Sequence, residues 1–162
     1  MEILELHTDP AGRLAACTPE TDSLAACTTA AATLVADLLD LMYELDPTTK
    51  VTPEMLQSAV QNADTHMFAA IEDGRVIGTA SLCVTHSPTG AKGGIEDVVV
   101  SSSCRGKGIG RQLIEHIIDF AHKNLAPIEL HLTSRPSREA ANRLYQTLGF
   151  RQHETNVYKL QL

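Results

Sequence analysis

The sequence predicts a mixed α/β fold, and three observations carry the prediction. Apolar residues recur at helical spacing in four stretches. β-rich runs bounded by turn residues fill the gaps between them. Finally, the run Val98-Val99-Val100 passes through a glycine-rich turn directly into a helical pattern, which implies a parallel crossover around that helix.

Taken in order, "EILELHT" (2–8) alternates well enough to be a first strand. Residues 10–20 contain Pro10, Gly12 and Pro19 and read as a loop or broken turn. "LAACT" stands at 14–18 and again at 24–28, and two copies do not make a repeat architecture. From Thr21 to Leu45 alanines and leucines predict a long helix, with Leu34, Leu38, Leu41 and Leu45 at helical spacing. "DPTTKVTPEML" breaks it. Thr52-Pro53 then starts a second helix with proline at its first position, running to about Gln61. Two β-rich runs flank Glu72-Asp73-Gly74, a hairpin signal, and Pro88-Thr89-Gly90 makes the next turn. "GIEDVVV" is a third sheet strand. Ile109, Leu113, Ile114, Ile117 and Ala121 mark one apolar helix face. Pro127 opens the strand "IELHLTS". A helix follows at "REAANRLYQTL", stopped by Gly149, and "NVYKLQL" is expected to close the chain as a last strand.

The 162 residues suit one domain with a real core, and 43% hydrophobic with 20% charged residues is ordinary for a globular chain. No apolar stretch reaches the length of a membrane span, and the start "MEILELHTDP" is acidic where a secretory signal is basic, so a cytoplasmic protein with no membrane partner is expected. Cys17, Cys27, Cys83 and Cys104 form no CxxC pair and read as free, packed thiols. The net charge of −7 argues against nucleic acid as a partner. Its distribution is uneven: residues 1–91 carry thirteen Asp/Glu against three Lys/Arg, and residues 92–162 carry seven against ten. One half can therefore attract a cation and the other an anion.

The anion has an evident place. In "VVVSSSCRGKGIGRQL" (98–113) a strand ends, side chains vanish at Gly106, Gly108 and Gly110, and a helix begins. Bare backbone N–H groups at a helix N-terminus bind phosphates, and Arg105, Lys107 and Arg111 add countercharge. The GxxxxGK[ST] pattern of a Walker loop is absent, and the third glycine of a GxGxxG turn is replaced by Arg111. What remains is [RQ]xxGx[GA], matched by Arg105-Gly106-Lys107-Gly108-Ile109-Gly110.

With that pattern, "GGIEDVVVSSSCRGKGIGRQLIEHIIDFA" resembles the strand-loop-helix motif A of the GNAT superfamily of acyl-CoA N-acyltransferases, and "SREAANRLYQTLGF" resembles its downstream Asn-x-x-Tyr-x-x-x-Gly-Phe segment. The resemblance runs from about Ala32 to the C-terminus, and residues 1–20 match poorly. It implies one acetyltransferase domain over residues 1–162, with a mostly antiparallel sheet, splayed at a parallel pair of central strands and flanked by helices. It implies acetyl-CoA as cosubstrate, its pyrophosphate on the N–H groups from Arg105 to Gly110 with Arg111 beside them. The pantetheine arm would lie along the backbone of Val98, Val99 and Val100, and Asn142 would reach it from the last helix. The N–H near Val99 would face the thioester oxygen, and Tyr145 would lie near the CoA sulfur, to protonate or hold the leaving thiolate.

Acyl transfer to an amine needs a neutral nucleophile. Glu96 and Asp97 are consecutive strand residues and are expected on opposite faces, Glu96 with Val98 and Val100, Asp97 with Ile95 and Val99. A carboxylate inside a strand needs a task or a partner. Glu96 is read as the base, directly or through water, and Asp97 as the residue that binds and orients the amine. Seven histidines without HExxH, and with His116 and His122 on divergent helix faces, give no metal site. Cys104 reads as a packed turn cysteine, and Arg135 and Arg138 as contacts to the 3′-phosphate or acceptor, or as a helix start.

The acidic N-terminal half suits a cationic acceptor: a protein lysine or N-terminus, a polyamine or another small amine. Two alternatives stand beside it. One is acetylation of glucosamine 6-phosphate, whose enzymes carry an "IEDVVV"-like strand but a shorter link than "TSRPSREAAN". The other is a non-catalytic module that binds acetyl-CoA. Homodimers are common among relatives and are compatible with this chain.

Overall fold

Alternation in the first eight residues produces β1 (Glu2–Thr8), with Leu4 and Leu6 buried and their neighbours more open. The computed structural model describes residues 1–9, 11–17 and 31–161, and these fall into two units, Met1–Leu132 and Thr133–Leu162.

In the first unit the segment expected to be a loop contains β2 (Leu14–Cys17), paired antiparallel with β1. Gly12, at φ +77°, turns the chain, and the Asp9 carboxylate accepts from the Arg13 N–H and Nε. The prolines that argued for a loop lie outside this strand, at 10 and 19. Of the long helix expected from Thr21, α1 (Ala31–Leu45) is present, burying Leu34, Leu38 and Leu41. Residues 18–30, with Cys27 and the second "LAACT", lie outside the described residues. α2 (Pro53–Gln61) starts as expected: Thr52 Oγ1 accepts from the Met55 N–H at 3.3 Å, and proline occupies the first turn.

β3 (Thr65–Glu72) and β4 (Arg75–Ser87) form the expected hairpin. Asp73 and Gly74 both take positive φ, 50° and 73°, as a two-residue type I′ turn requires. β5 (Gly90–Val100) is longer than "GIEDVVV". A 3-10 turn at Ser102–Cys104 leads to α3 (Ile109–Asn124), and β6 (Glu129–Leu132) follows. Among the described residues six strands lie in the order β2-β1-β3-β4-β5-β6, and only β5 and β6 are parallel.

Period-two alternation sends side chains to two faces. Met67, Ala69 and Ile71 join Leu34, Leu38 and Leu41 of α1 and Leu56 of α2 in one core. Phe68, between them, turns to the opposite face and meets the rings of His116 and Phe120 on α3 at 5.0 and 5.2 Å. Asp37 of α1 is buried and ties the helix to the hairpin. It accepts from Arg75 Nη2 at 2.6 Å, from Arg75 Nε at 3.0 Å and from the Val76 N–H at 2.9 Å.

In the second unit α4 (Glu139–Thr147) ends as "LGF" predicts. Gly149 takes φ +93°, its N–H returns to the Gln146 carbonyl and that of Phe150 to the Tyr145 carbonyl, both at 3.1 Å. This is a Schellman cap, with the Phe150 ring against that of Tyr145. The strand expected at "NVYKLQL" does not form: residues 150–161 carry no helix or strand, and Tyr158 and Leu160 are 88% and 85% exposed. Its alternating pattern is genuine. A strand, however, is stable only when its N–H and C=O groups meet a sheet edge, and no described strand pairs with it.

Candidate active site

The glycine loop joins the end of β5 to α3. Gly106 and Gly108 sit at φ +80° and +78°, left-handed backbone that favours glycine, and open space lies where a Cβ would point. Gly108 is the N-cap of α3 and offers no side chain to the helix N–H groups. The Gln112 N–H donates to the Gly108 carbonyl at 3.1 Å, so the amides that precede it stand outside the helical ladder. Uncapped amides, positive helix dipole and an open surface together fit a phosphate.

The three cations of this loop differ. Arg105 is held: its Nε donates to the Val100 carbonyl at 3.1 Å and its Nη2 pairs with Glu44 at 3.2 Å. Arg111 pairs with Glu115, 3.0 Å away on the same helix. Lys107 has no ion pair among the described residues. Glu44 is the element that sequence reasoning missed. From α1 it also accepts from the Ser102 N–H at 2.8 Å and thereby fixes the turn that leaves β5. No local pattern announces a contact 58 residues away.

Ahead of the loop, β5 outruns β6. Their pairing ends at Ile95↔Leu132, while β5 continues to Val100, with Val99 and Val100 paired to Thr79 and Gly78 of β4. Glu96–Val100, the stretch that includes the three expected valines, thus has no register partner in β6. β5 also bulges there: the register passes from Ser81↔Glu96 to Thr79↔Val99, placing Asp97 and Val98 opposite Ala80 alone. Asp97 takes φ +52° to accommodate the extra residue.

The bulge corrects the expected facing. Glu96 shares its side of the sheet with Val99, the side of α1, because their partners Ser81 and Thr79 alternate normally. Simple alternation had put Glu96 with Val98 and Val100. Both carboxylates lie within electrostatic reach of Cys83 on β4: burial pushes its thiol up, a hydrogen bond to Thr65 lowers it, and Glu96 and Asp97 raise it further. Burial also lifts the Asp97 carboxyl above the usual aspartate range, although the residue keeps an open side to solvent.

The acetyltransferase (GNAT) family model matches residues 32–150, which include the loop, the bulge and α4. The chain belongs to the GNAT family. It is 35% identical to a glucosamine 6-phosphate N-acetyltransferase of Trypanosoma brucei brucei over 98 residues, 57% of this chain and 63% of that protein. It is 36% identical to a streptothricin acetyltransferase of Streptomyces lavendulae over 94 residues, 56% of this chain and 47% of that one. The chain thus spans less than two thirds of the length of these curated relatives. A solved acetyltransferase of Trypanosoma brucei superposes with a TM-score of 0.63 at 29% identity, covering 79% of this chain and 92% of that one.

The other expected site residues, Asn142 and Tyr145, lie in the second unit. Tyr145 is buried, its ring edge-on to Phe150 at 6.2 Å. Burial raises its phenol above the ordinary tyrosine value, and the charge of Arg138 partly offsets this. Asn142 donates through Nδ2 to the Arg135 carbonyl at 3.0 Å and so fixes the segment before α4. Among the described residues no group of three or more His, Cys, Asp or Glu is placed to hold a metal, and no helix is long and apolar enough to cross a membrane. Cys83 and Cys104 are free thiols.

Proposed function

We propose that this chain, acting as one GNAT domain, transfers an acetyl group from acetyl-CoA to a primary amine within a ternary complex. The observation that carries the reading is a continuous feature: β5 parts from β6 at Ile95, bulges at Asp97 and ends in an uncapped glycine loop at the start of α3. Acetyl-CoA supplies the activated acyl group. Its diphosphate fits the amides from Arg105 to Gly110, with Lys107 as the mobile countercharge, and its arm fits beside Val98, Val99 and Val100. Asn142 is assigned a further contact to the arm, as the family resemblance implies.

The amine arrives as an ammonium and must lose a proton before it attacks. Sequence reasoning assigned this step to Glu96. We give the step instead to Asp97, which sits at the bulge with its carboxyl raised by burial above the usual aspartate range, and Glu96 holds the ammonium. The amine nitrogen then bonds to the thioester carbon, with the Val99 N–H facing the developing oxyanion. As the C–S bond breaks, Tyr145, kept protonated by its raised pKa, gives its proton to the thiolate and regains one from the new amide nitrogen. The proton on Asp97 passes to solvent.

A cationic small amine is the acceptor class that the acidic half favours. The similarity to a glucosamine 6-phosphate N-acetyltransferase supports a second reading, in which the acceptor is an amino-sugar phosphate. One experiment tests both. Purified protein is incubated with acetyl-CoA and spermidine, a lysine peptide, streptothricin or glucosamine 6-phosphate, and free thiol is followed. Amine-dependent thiol release is expected. CoA binding with no turnover on any amine would leave a binding module instead.

A further inference from the structure

The glycine loop is not held by its own packing. Nothing lies within 4 Å of the Cβ position at Gly106 or Gly108, and both take left-handed φ. Glycine backbone in open space has many conformations to lose when a ligand fixes it. Order in this loop must therefore come from its two ends. One end is α3, which begins after Gly108. The other is the 3-10 turn Ser102–Cys104, and that turn has no side-chain cap of its own. The hydroxyl of Ser101, its N-cap residue, stands instead 3.0 Å from the Ser103 hydroxyl.

Glu44 of α1 supplies the missing cap. Its Oε2 accepts from the Ser102 N–H at 2.8 Å and from Arg105 Nη2 at 3.2 Å, and its Oε1 faces the Ser101 and Ser102 hydroxyls at 3.5 and 3.4 Å. Arg105 Nε meanwhile donates to the Val100 carbonyl at 3.1 Å, which folds the turn back onto β5. One carboxylate thus ties down the start and the end of the turn, and the Glu44 side chain is 29% exposed, so its charged hydrogen bonds are partly shielded from water. Two consequences oppose each other. As a charge, Glu44 neutralises Arg105 and weakens any anion that approaches the loop. As a clamp, it strengthens the same anion, because the amides are aimed before the anion arrives.

We propose that Glu44 is the positioning residue of the coenzyme loop and that the clamp outweighs the charge. It holds the turn in the binding conformation and keeps Arg105 on the strand, leaving the backbone amides and Lys107 to meet the diphosphate. The inference rests on the acetyltransferase reading above, and its test separates the two.

CoA affinity is measured by calorimetry, at low and at physiological salt, for the parent, Glu44→Gln, Glu44→Asp and Glu44→Ala. Glutamine keeps the reach and one acceptor oxygen without the charge. Aspartate keeps the charge and falls one methylene short. Glu44→Asp and Glu44→Ala are expected to weaken CoA about tenfold or more, and Glu44→Gln to stay within about threefold of the parent. Glu44→Gln also releases the charge of Arg105, so its CoA binding should become more sensitive to salt than the parent's. A role in charge alone gives the opposite order, with Glu44→Asp like the parent and Glu44→Gln and Glu44→Ala tighter. Should Glu44→Ala fail to fold, the Gln and Asp variants decide the matter between them. If the parent binds CoA but Glu44→Asp binds it equally well, or Glu44→Gln is as weak as Glu44→Asp, the positioning role is refuted while the acetyltransferase reading stands. If the parent does not bind CoA, both fall.

Discussion

Removing the Asp37 carboxylate should unfasten α1 from the β3–β4 hairpin, and the structure sets the size of the effect. Asp37 is 4% exposed and accepts from the Arg75 guanidinium and from the Val76 N–H. Burial pushes its carboxyl up, but the Arg75 and Val76 hydrogen bonds and the Arg75 charge outweigh it and hold the group below the usual aspartate range. In Asp37→Ala the guanidinium is 65% exposed and recovers water, so the ion pair itself contributes little to the loss. The Val76 N–H lies in a buried segment and is left without its acceptor, which costs about 1–3 kcal/mol. With the small cavity left in the helix interface, a loss of about 3 kcal/mol is expected. Asp37→Asn keeps an amide oxygen for Val76 and should lose about half as much. Urea unfolding at constant m-value measures both. A depressed carboxyl contributes stability above its unfolded pKa and loses it as pH falls through the folded value, so the gap between parent and Asp37→Asn should close in acid. An Asp37→Ala variant within 1 kcal/mol of the parent, or a gap that widens in acid, would refute the reasoning.

Gly93→Ala drives a methyl into Leu130 and Leu82, so an overpacking loss of about 1–3 kcal/mol is expected as a lower urea midpoint. Lys107→Ala should flatten the salt dependence of CoA binding measured by calorimetry, because its charge is uncommitted; Arg105→Ala, whose guanidinium already faces Glu44, should change that slope less and lower the melting temperature more. The acid limb of the pH–rate profile should follow the raised Asp97 carboxyl, with activity rising as it deprotonates. Asp97→Asn should abolish that limb and reduce kcat by about 10²–10⁴-fold, and Glu96→Gln should raise KM for the amine while keeping the limb. A limb that survives in Asp97→Asn and vanishes in Glu96→Gln would return the base to Glu96.

Most of this fold was legible because its signals are local. Thr52-Pro53, Asp73-Gly74 and Leu148-Gly149-Phe150 each specify a backbone geometry within four residues, and each appears where the sequence places it. The failures are non-local. β2 was hidden because four residues of "LAAC" become a strand only by pairing with β1, and alanine carries little strand preference of its own. The C-terminal pattern failed in the opposite sense, since alternation describes a side chain's period and says nothing about whether a sheet edge is there to receive the backbone.

The site divides along the same line. The glycine loop is a chemical statement about consecutive residues: positive φ, no Cβ and a helix start can all be read from "RGKGIG". The facing of Glu96 and Asp97 cannot, because one inserted residue inverts what alternation implies beyond it. Asp97 absorbs that residue at φ +52°, and no glycine or asparagine marks the place. Once the bulge is known, Glu96 turns to the α1 side of the sheet with Val99. The facing of the β5 carboxylates is therefore encoded in register, a property of strand pairs, whereas the glycine loop is encoded in a single stretch of chain. On the proposed reading, substitutions that shift the β5 register by one residue should change which amine is acetylated in the thiol-release assay while leaving CoA affinity by calorimetry unchanged.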